Sequence, residues 1–272
     1  MKKTTLWVLL LCGASCFTAC KNDDTPGPVL LEKSTFSVNG HALTAYLHDQ
    51  GTDYVVVFES GLGDGVQPWR EQKVLEQAAE KTSVIGYNRA GYADSGNGPG
   101  PRDIPTLRQD LEKLLEAAFP GKKYVLVAHS LGGLVIRDFA LKNPEKTAAL
   151  LFIDPSHESY NHPTDAQEDM LVAAFGANTG AGMEARQLVE DLQYAAAMPG
   201  LPDKPAVVIT SKKTSSENDA ADRQQWYDAH DELGAGLSDF THIATTQSGH
   251  YIQRTEPDLV LQYLNTLLGK LQ

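Results

Sequence analysis

Ser130 stands in the run Val125-Leu126-Val127-Ala128-His129-Ser130-Leu131-Gly132-Gly133-Leu134, at the point where an apolar stretch gives way to a helical pattern. This is a G-x-S-x-G arrangement with alanine in its first place. A sharp strand-to-helix turn there lifts the hydroxyl clear of a sheet, and small residues two before and two after it let neighbouring backbone pass close. A serine that merely caps the following helix is the alternative. A serine hydroxyl is a weak nucleophile until a positioned base takes its proton. His250 is the best base: it sits in Gln247-Ser248-Gly249-His250-Tyr251, after the β-branched run Ile243-Thr246, and Gly249 permits a tight turn. His129 belongs to the serine motif, His41 and His48 to a hairpin pattern, and His242 to a strand start. A carboxylate must then orient the imidazole and stabilise its charged form. Asp154 ends an apolar run, and a strand end holds a side chain better than a polar loop does. Glu217, Asp219 and Asp222, late in the polar stretch after Ile209, stay open as alternatives.

Elements must bring these residues together. Apolar runs recur at Tyr54-Phe58, Ser83-Tyr87, Tyr124-Ala128, Ala148-Ile153 and Ala206-Ile209, continuous rather than alternating, as in parallel strands buried on both faces. Between them, Leu107, Leu111, Leu114 and Leu115, then Leu134, Val135 and Phe139, each make one apolar helical stripe. Strand then helix, repeated, predicts an α/β fold with a mostly parallel central sheet and helices on both faces. Thr35-Val38 and Ala42-His48 flank Asn39-Gly40, a hairpin signal that opens the sheet with an antiparallel pair. Thr255-Glu256-Pro257-Asp258 reads as a capping box before a closing helix. Residues 155–202 break the alternation with two helical stretches, Asp165-Phe175 and Met183-Met198, and read as a helical lid inserted after the sixth strand.

With these motifs in place the chain, from about residue 34 onward, resembles the α/β-hydrolases of the single-domain, lid-bearing kind. Tyr87-Asn88-Arg89-Ala90-Gly91-Tyr92-Ala93-Asp94-Ser95 resembles that family's Y-D-R-x-G-x-G-x-S stretch, and Ile153-Asp154-Pro155-Ser156-His157 resembles the end of a D-P-S-H run in one of its branches. Some bacterial lipases likewise carry Ala-His-Ser-x-Gly. The resemblance implies a Ser130-His250-Asp154 triad, although family members usually carry the acid after the next strand. It also implies an oxyanion hole of two backbone N–H groups, Leu131 and, in the loop Glu59-Ser60-Gly61-Leu62-Gly63-Asp64-Gly65, Leu62. The expected activity is hydrolysis of a carboxylic ester or related acyl bond of a small molecule. Serine at the elbow argues against epoxide hydrolase and dehalogenase chemistry, which use a carboxylate nucleophile in this fold. Carbon–carbon bond hydrolysis or perhydrolysis with the same triad is an alternative, as is an inactive surface binding protein.

Composition narrows the partners. Of 272 residues, 35 are acidic and 23 basic, for a net charge of -12, which excludes nucleic acid as a main partner. The spacing Gly61-x-Gly63-x-Gly65 is no dinucleotide fingerprint, and His157 and His162 lack a zinc ligand set, so neither cofactor nor metal is expected. Met1-Lys2-Lys3 followed by an apolar Leu6-Ala19 reads as a signal peptide over residues 1–19. Phe17-Thr18-Ala19-Cys20 resembles a bacterial lipobox, which makes Cys20 the expected lipidation site and residues 20–33 a tether. Lys21-Asn22-Asp23-Asp24 resembles a surface-export signal, so the expected location is extracytoplasmic, on the outer membrane or cell surface of a Gram-negative bacterium, with periplasmic or secreted protein as the alternative. All three cysteines, Cys12, Cys16 and Cys20, lie in this leader, leaving a domain without thiols.

Overall fold

A computed structural model describes residues 29–271; the expected signal peptide, Cys20 and the tether up to residue 28 lie outside the described residues. Strand β1 (Glu32–Val38) pairs antiparallel with β2 (His41–His48) across Asn39-Gly40. Both turn residues have positive φ, 45° and 86°, as the tight hairpin turn demands. The chain then forms β3 (Tyr54–Glu59), β4 (Ser83–Tyr87), β5 (Lys123–His129), β6 (Thr147–Ile153), β7 (Ala206–Ser211) and β8 (Phe240–Thr245). They make one sheet in the order β1-β2-β4-β3-β5-β6-β7-β8, antiparallel at β1/β2 and β2/β4 and parallel elsewhere.

Helices cover both faces. Between β3 and β4 lie α1 (Gln67–Arg70) and α2 (Val74–Ala79); α3 (Ile104–Ala118) and α4 (Gly132–Lys142) precede and follow β5. After β6 come α5 (Asp165–Phe175), α6 (Gly180–Ala185) and α7 (Leu188–Ala196), then α8 (Ala220–Asp231) after β7, and α9 (Ile252–Thr255) and α10 (Pro257–Gly269) at the end. Successive strand residues point to opposite faces. Val55, Val57, Leu126 and Phe152 therefore join the stripes of α3 and α4 in one core. Val56, Phe58, Val127 and Ile153 join Trp69, Leu75 and Leu264 in the other.

Two expectations need correction. The stretch Met183-Met198 is two helices, because the register is reset at Arg186-Gln187, where Gln187 N–H bonds back to the Glu184 carbonyl. The reset lets the buried acids Glu184 and Asp191 meet different partners, Arg89 and the Ile104 N–H. The capping box at Thr255 does not form either: α10 starts at Pro257 and no side chain caps it. Thr255 Oγ1 instead donates to Ser248, with the Tyr251 carbonyl also within 3.1 Å, while the Glu256 carboxylate accepts from the hydroxyls of Thr245 (2.6 Å) and Ser248 (2.5 Å). These side chains brace the loop that carries His250.

Candidate active site

Parallel α/β sheets place their crevice at the carboxyl ends of the strands, where the strand order reverses. Here the chain passes from β3 to β4 on one side and returns to β5 on the other, so the β3 loop and the β5 turn face each other. Ser130 occupies that turn with φ of 53°, a left-handed backbone costly for a residue with a Cβ. The turn is held by backbone bonds from Ser130 N–H to the Ile153 carbonyl (3.2 Å) and from the Gly133 and Ser156 N–H groups to the Ser130 carbonyl (2.9 Å each). The glycine after it is sterically required: a Cβ at Gly132 would lie 2.7 Å from the Ser60 carbonyl oxygen and 2.9 Å from the Glu59 side chain.

Asp154 follows β6 directly, also with positive φ (44°), and its N–H is anchored on the Ile209 carbonyl at 2.8 Å. Its carboxylate is buried. One oxygen accepts from the Ser211 N–H (2.8 Å) and the Trp226 indole N–H (2.7 Å); the other meets His250 Nδ1 at 2.7 Å. Burial alone would raise this carboxyl, but the hydrogen bond and charge of His250, with the nearby His230 and the Ser211 N–H, hold it below its ordinary value. An ionised carboxylate only accepts, so His250 Nδ1 donates its proton to Asp154 and Nε2 is the ring nitrogen turned away from the carboxylate. The His250 side chain is 44 % exposed.

His129, the residue before Ser130, contacts the acid-bound His250, while no hydrogen bond joins Ser130 Oγ to His250 among the described residues. The His129 ring lies 4.5 Å from that of His250, centroid to centroid, and its Nε2 bonds the His250 carbonyl oxygen at 2.9 Å. Burial pushes His129 down to about 3, so it is neutral and donates through Nε2–H. The three competing acids go elsewhere. Asp219 caps α8 through the N–H groups of Ala221 and Asp222, Asp222 accepts from the Tyr160 hydroxyl at 2.6 Å, and Glu217 is exposed.

Leu62 and Leu131 both line a cavity of about 360 Å³ together with Ser130. Neither of their N–H groups is spent on a backbone acceptor among the described residues. Leu134, Leu171, Leu188 and Leu192 add apolar wall, and Tyr160, Asn161 and His162 supply polar groups, so α5, α7 and the segment before them roof the serine. Among the described residues, no Lys, Arg, Asp or Glu lines it.

Sequence reasoning missed His129, Trp226 and Ser211 as supports of the imidazole and carboxylate. His129 was legible only as part of the serine motif; nothing in the spacing of Trp226 or Ser211 links them to Asp154. It also missed the buried ion cluster behind the Leu62 loop, built on Arg89, Glu59 and Glu184.

The chain matches the profile described as alpha/beta hydrolase fold over residues 54–268. It is 24 % identical over 228 residues to the uncharacterized protein YqjL of Bacillus subtilis, covering 84 % of this chain and 88 % of that one. Further bacterial relatives are 32–33 % identical but matched over only 37–39 % of their own length. Among solved structures, an esterase from Thermogutta terrifontis superposes with a TM-score of 0.68 at 16 % identity, covering 88 % of this chain and 98 % of that one. The epoxide hydrolase VrEH1 from Vigna radiata gives 0.69 at 17 %, with the same coverage of each chain. These two likenesses speak for the architecture, and the profile match across most of the folded region places the chain in the α/β-hydrolase fold family.

Proposed function

We propose that this protein is a serine hydrolase that cleaves a neutral carboxylic ester or related acyl bond through an acyl-enzyme. The observation that carries the reading is the convergence at one sheet edge of a strained elbow serine and a histidine whose Nδ1 is held by a buried carboxylate. His250 Nε2 takes the Ser130 proton as Oγ attacks the acyl carbon, and Asp154 stabilises the imidazolium that forms. The N–H groups of Leu62 and Leu131 receive the developing oxyanion, an interaction commonly worth about 3–4 kcal/mol per donor. The imidazolium then protonates the leaving group, and a water activated by the same nitrogen releases the acid and restores the hydroxyl. A cavity walled by leucines and, among the described residues, without formally charged side chains favours an uncharged acyl group. The fold serves both an esterase and an epoxide hydrolase, so the choice rests on the residue at the elbow, and serine forms an acyl-enzyme where a carboxylate would not. Release of p-nitrophenol from esters of increasing chain length tests this. The wild type turns over at least the shorter esters and Ser130→Ala reduces turnover to background; equal rates in the two proteins would refute the reading.

The reading extends to the cell envelope: residues 1–19 as a cleaved signal and Cys20 as a lipidated N-terminus that tethers the hydrolase to a membrane. The lipobox-like Phe17-Thr18-Ala19-Cys20 supports it. A mass increase on the N-terminal peptide that vanishes in Cys20→Ala is the expected result, and an unmodified Cys20 in the full-length protein would overturn it.

A further inference from the structure

Behind the Leu62 loop lies a fully buried cluster that the triad does not use. Arg89, in the turn after β4, sends Nη1 to the Glu59 carboxylate (2.7 Å) and the Ser60 carbonyl (2.6 Å), and Nη2 to the Gly61 carbonyl (2.7 Å). Its Nε and Nη2 also grip both oxygens of Glu184, each at 2.8 Å. Glu184 belongs to α6, in the insertion after β6, and is wholly buried. Tyr92 closes the ring: its hydroxyl donates to Glu184 (2.6 Å) and accepts from the Gly63 N–H (3.1 Å). The groups on both sides of Leu62, the carbonyls of Ser60 and Gly61 and the N–H of Gly63, are thus held by one cluster, and one of its charges comes from the lid.

The docking of α6 on that cluster is specific in shape as well as charge. A Cβ on Gly91 would lie 2.5 Å from the Gly180 nitrogen, and one on Gly180 would lie 2.3 Å from the Ala90 carbonyl oxygen. Backbone meets backbone there, bonded from Gly180 N–H to the Gly91 carbonyl at 3.3 Å. A buried charge pair with so many hydrogen bonds gains little stability over apolar packing but fixes one geometry. The geometry it fixes is that of the proposed oxyanion donor.

We propose that Glu184 is a positioning residue: through Arg89 and Tyr92 it makes the lid set the orientation of the Leu62 N–H, so that the oxyanion hole is complete only when α6 is seated. This rests on the serine-hydrolase reading for its catalytic consequence but not for its structural one. Glu184→Gln keeps the shape but removes the charge and replaces one carboxylate oxygen with an NH2 group that cannot accept, so the remaining amide oxygen can serve only one side of the grip by Arg89 and Tyr92. In the full chain, Glu184→Gln is expected to lower kcat at least tenfold with KM within about threefold, and to weaken an alkyl boronic acid, whose tetrahedral adduct uses the same hole, by a similar factor. Amide hydrogen exchange in the 59–65 segment should speed up at least tenfold. A folded Glu184→Gln protein with kcat within twofold of wild type overturns the proposal. Should that variant fail to fold, Tyr92→Phe decides by the same three readouts, since it leaves the Arg89 ion pairs intact. If the wild type turns over no ester, the hydrolase reading fails, and exchange in the 59–65 segment alone decides the positioning claim: unchanged exchange refutes it.

Discussion

Asp154 was one of four acids compatible with the sequence, and what separates it from the others is geometry that no local pattern encodes. Its oxygens are divided between two fixed donors and the imidazole, so replacing it with asparagine removes the charge without removing the scaffold. Asp154→Asn should lower kcat roughly 10³- to 10⁴-fold, whereas Asp219→Asn should leave it within about twofold, because asparagine caps α8 as well as aspartate does. Steady-state kinetics of both variants check this. Ser130 and His250 were legible because each sits in a short motif with a steric logic of its own: small residues beside the elbow, glycine beside the imidazole. That logic is itself testable. Gly132→Ala forces a methyl to within 2.7 Å of the Ser60 carbonyl oxygen, and chemical denaturation should register a loss of about 1–3 kcal/mol together with lower turnover.

At the scale of elements, buried runs announced the strands and leucine stripes announced the helices, since each is a local consequence of burial on a sheet or a helix face. The insertion was legible as helical, but its break at Gln187 was not, because the backbone bond from Gln187 N–H to the Glu184 carbonyl leaves no mark in the apolar spacing; the break separates two buried acids, Glu184 and Asp191. Asp191 on α7 is one of them. One oxygen accepts from the Ile104 N–H at the start of α3, the other has no partner, and burial pushes the carboxyl from 3.8 up to about 8. A folded value above the unfolded one means that the native protein binds the extra proton. Its contribution is complete below 3.8 and is lost as the pH rises toward 8. Asp191→Asn keeps the acceptor for Ile104 and removes the titration. Its melting temperature should therefore exceed the wild type's by at least ~2 °C above pH 8 and converge with it below pH 4. A constant offset across that range would contradict the assignment.

For the whole molecule, the acid side is governed by buried imidazoles. His129 and His230, the latter between the Thr210 hydroxyl and the Pro155 carbonyl, are both pushed by burial from 6.5 to about 3. Here the unfolded chain binds the extra protons. The contribution of these two groups is complete above 6.5 and is lost as the pH drops toward 3, so urea midpoints should begin to decline below about pH 6.5, ahead of the ordinary carboxylate range. The same His129 carries the bond to the His250 backbone, so acid unfolding and loss of the site are expected to coincide. Between these limits the helical insertion roofs the cavity that holds Ser130. The central claim is that this hydroxyl is an activated nucleophile. Treating the folded protein with a fluorophosphonate at neutral pH and mapping the adduct by peptide mass spectrometry should find a single modification, on the peptide containing Ser130, absent from Ser130→Ala and strongly slowed in His250→Ala. A folded wild-type protein that takes up no phosphonate, or takes it up on another residue, would contradict the account.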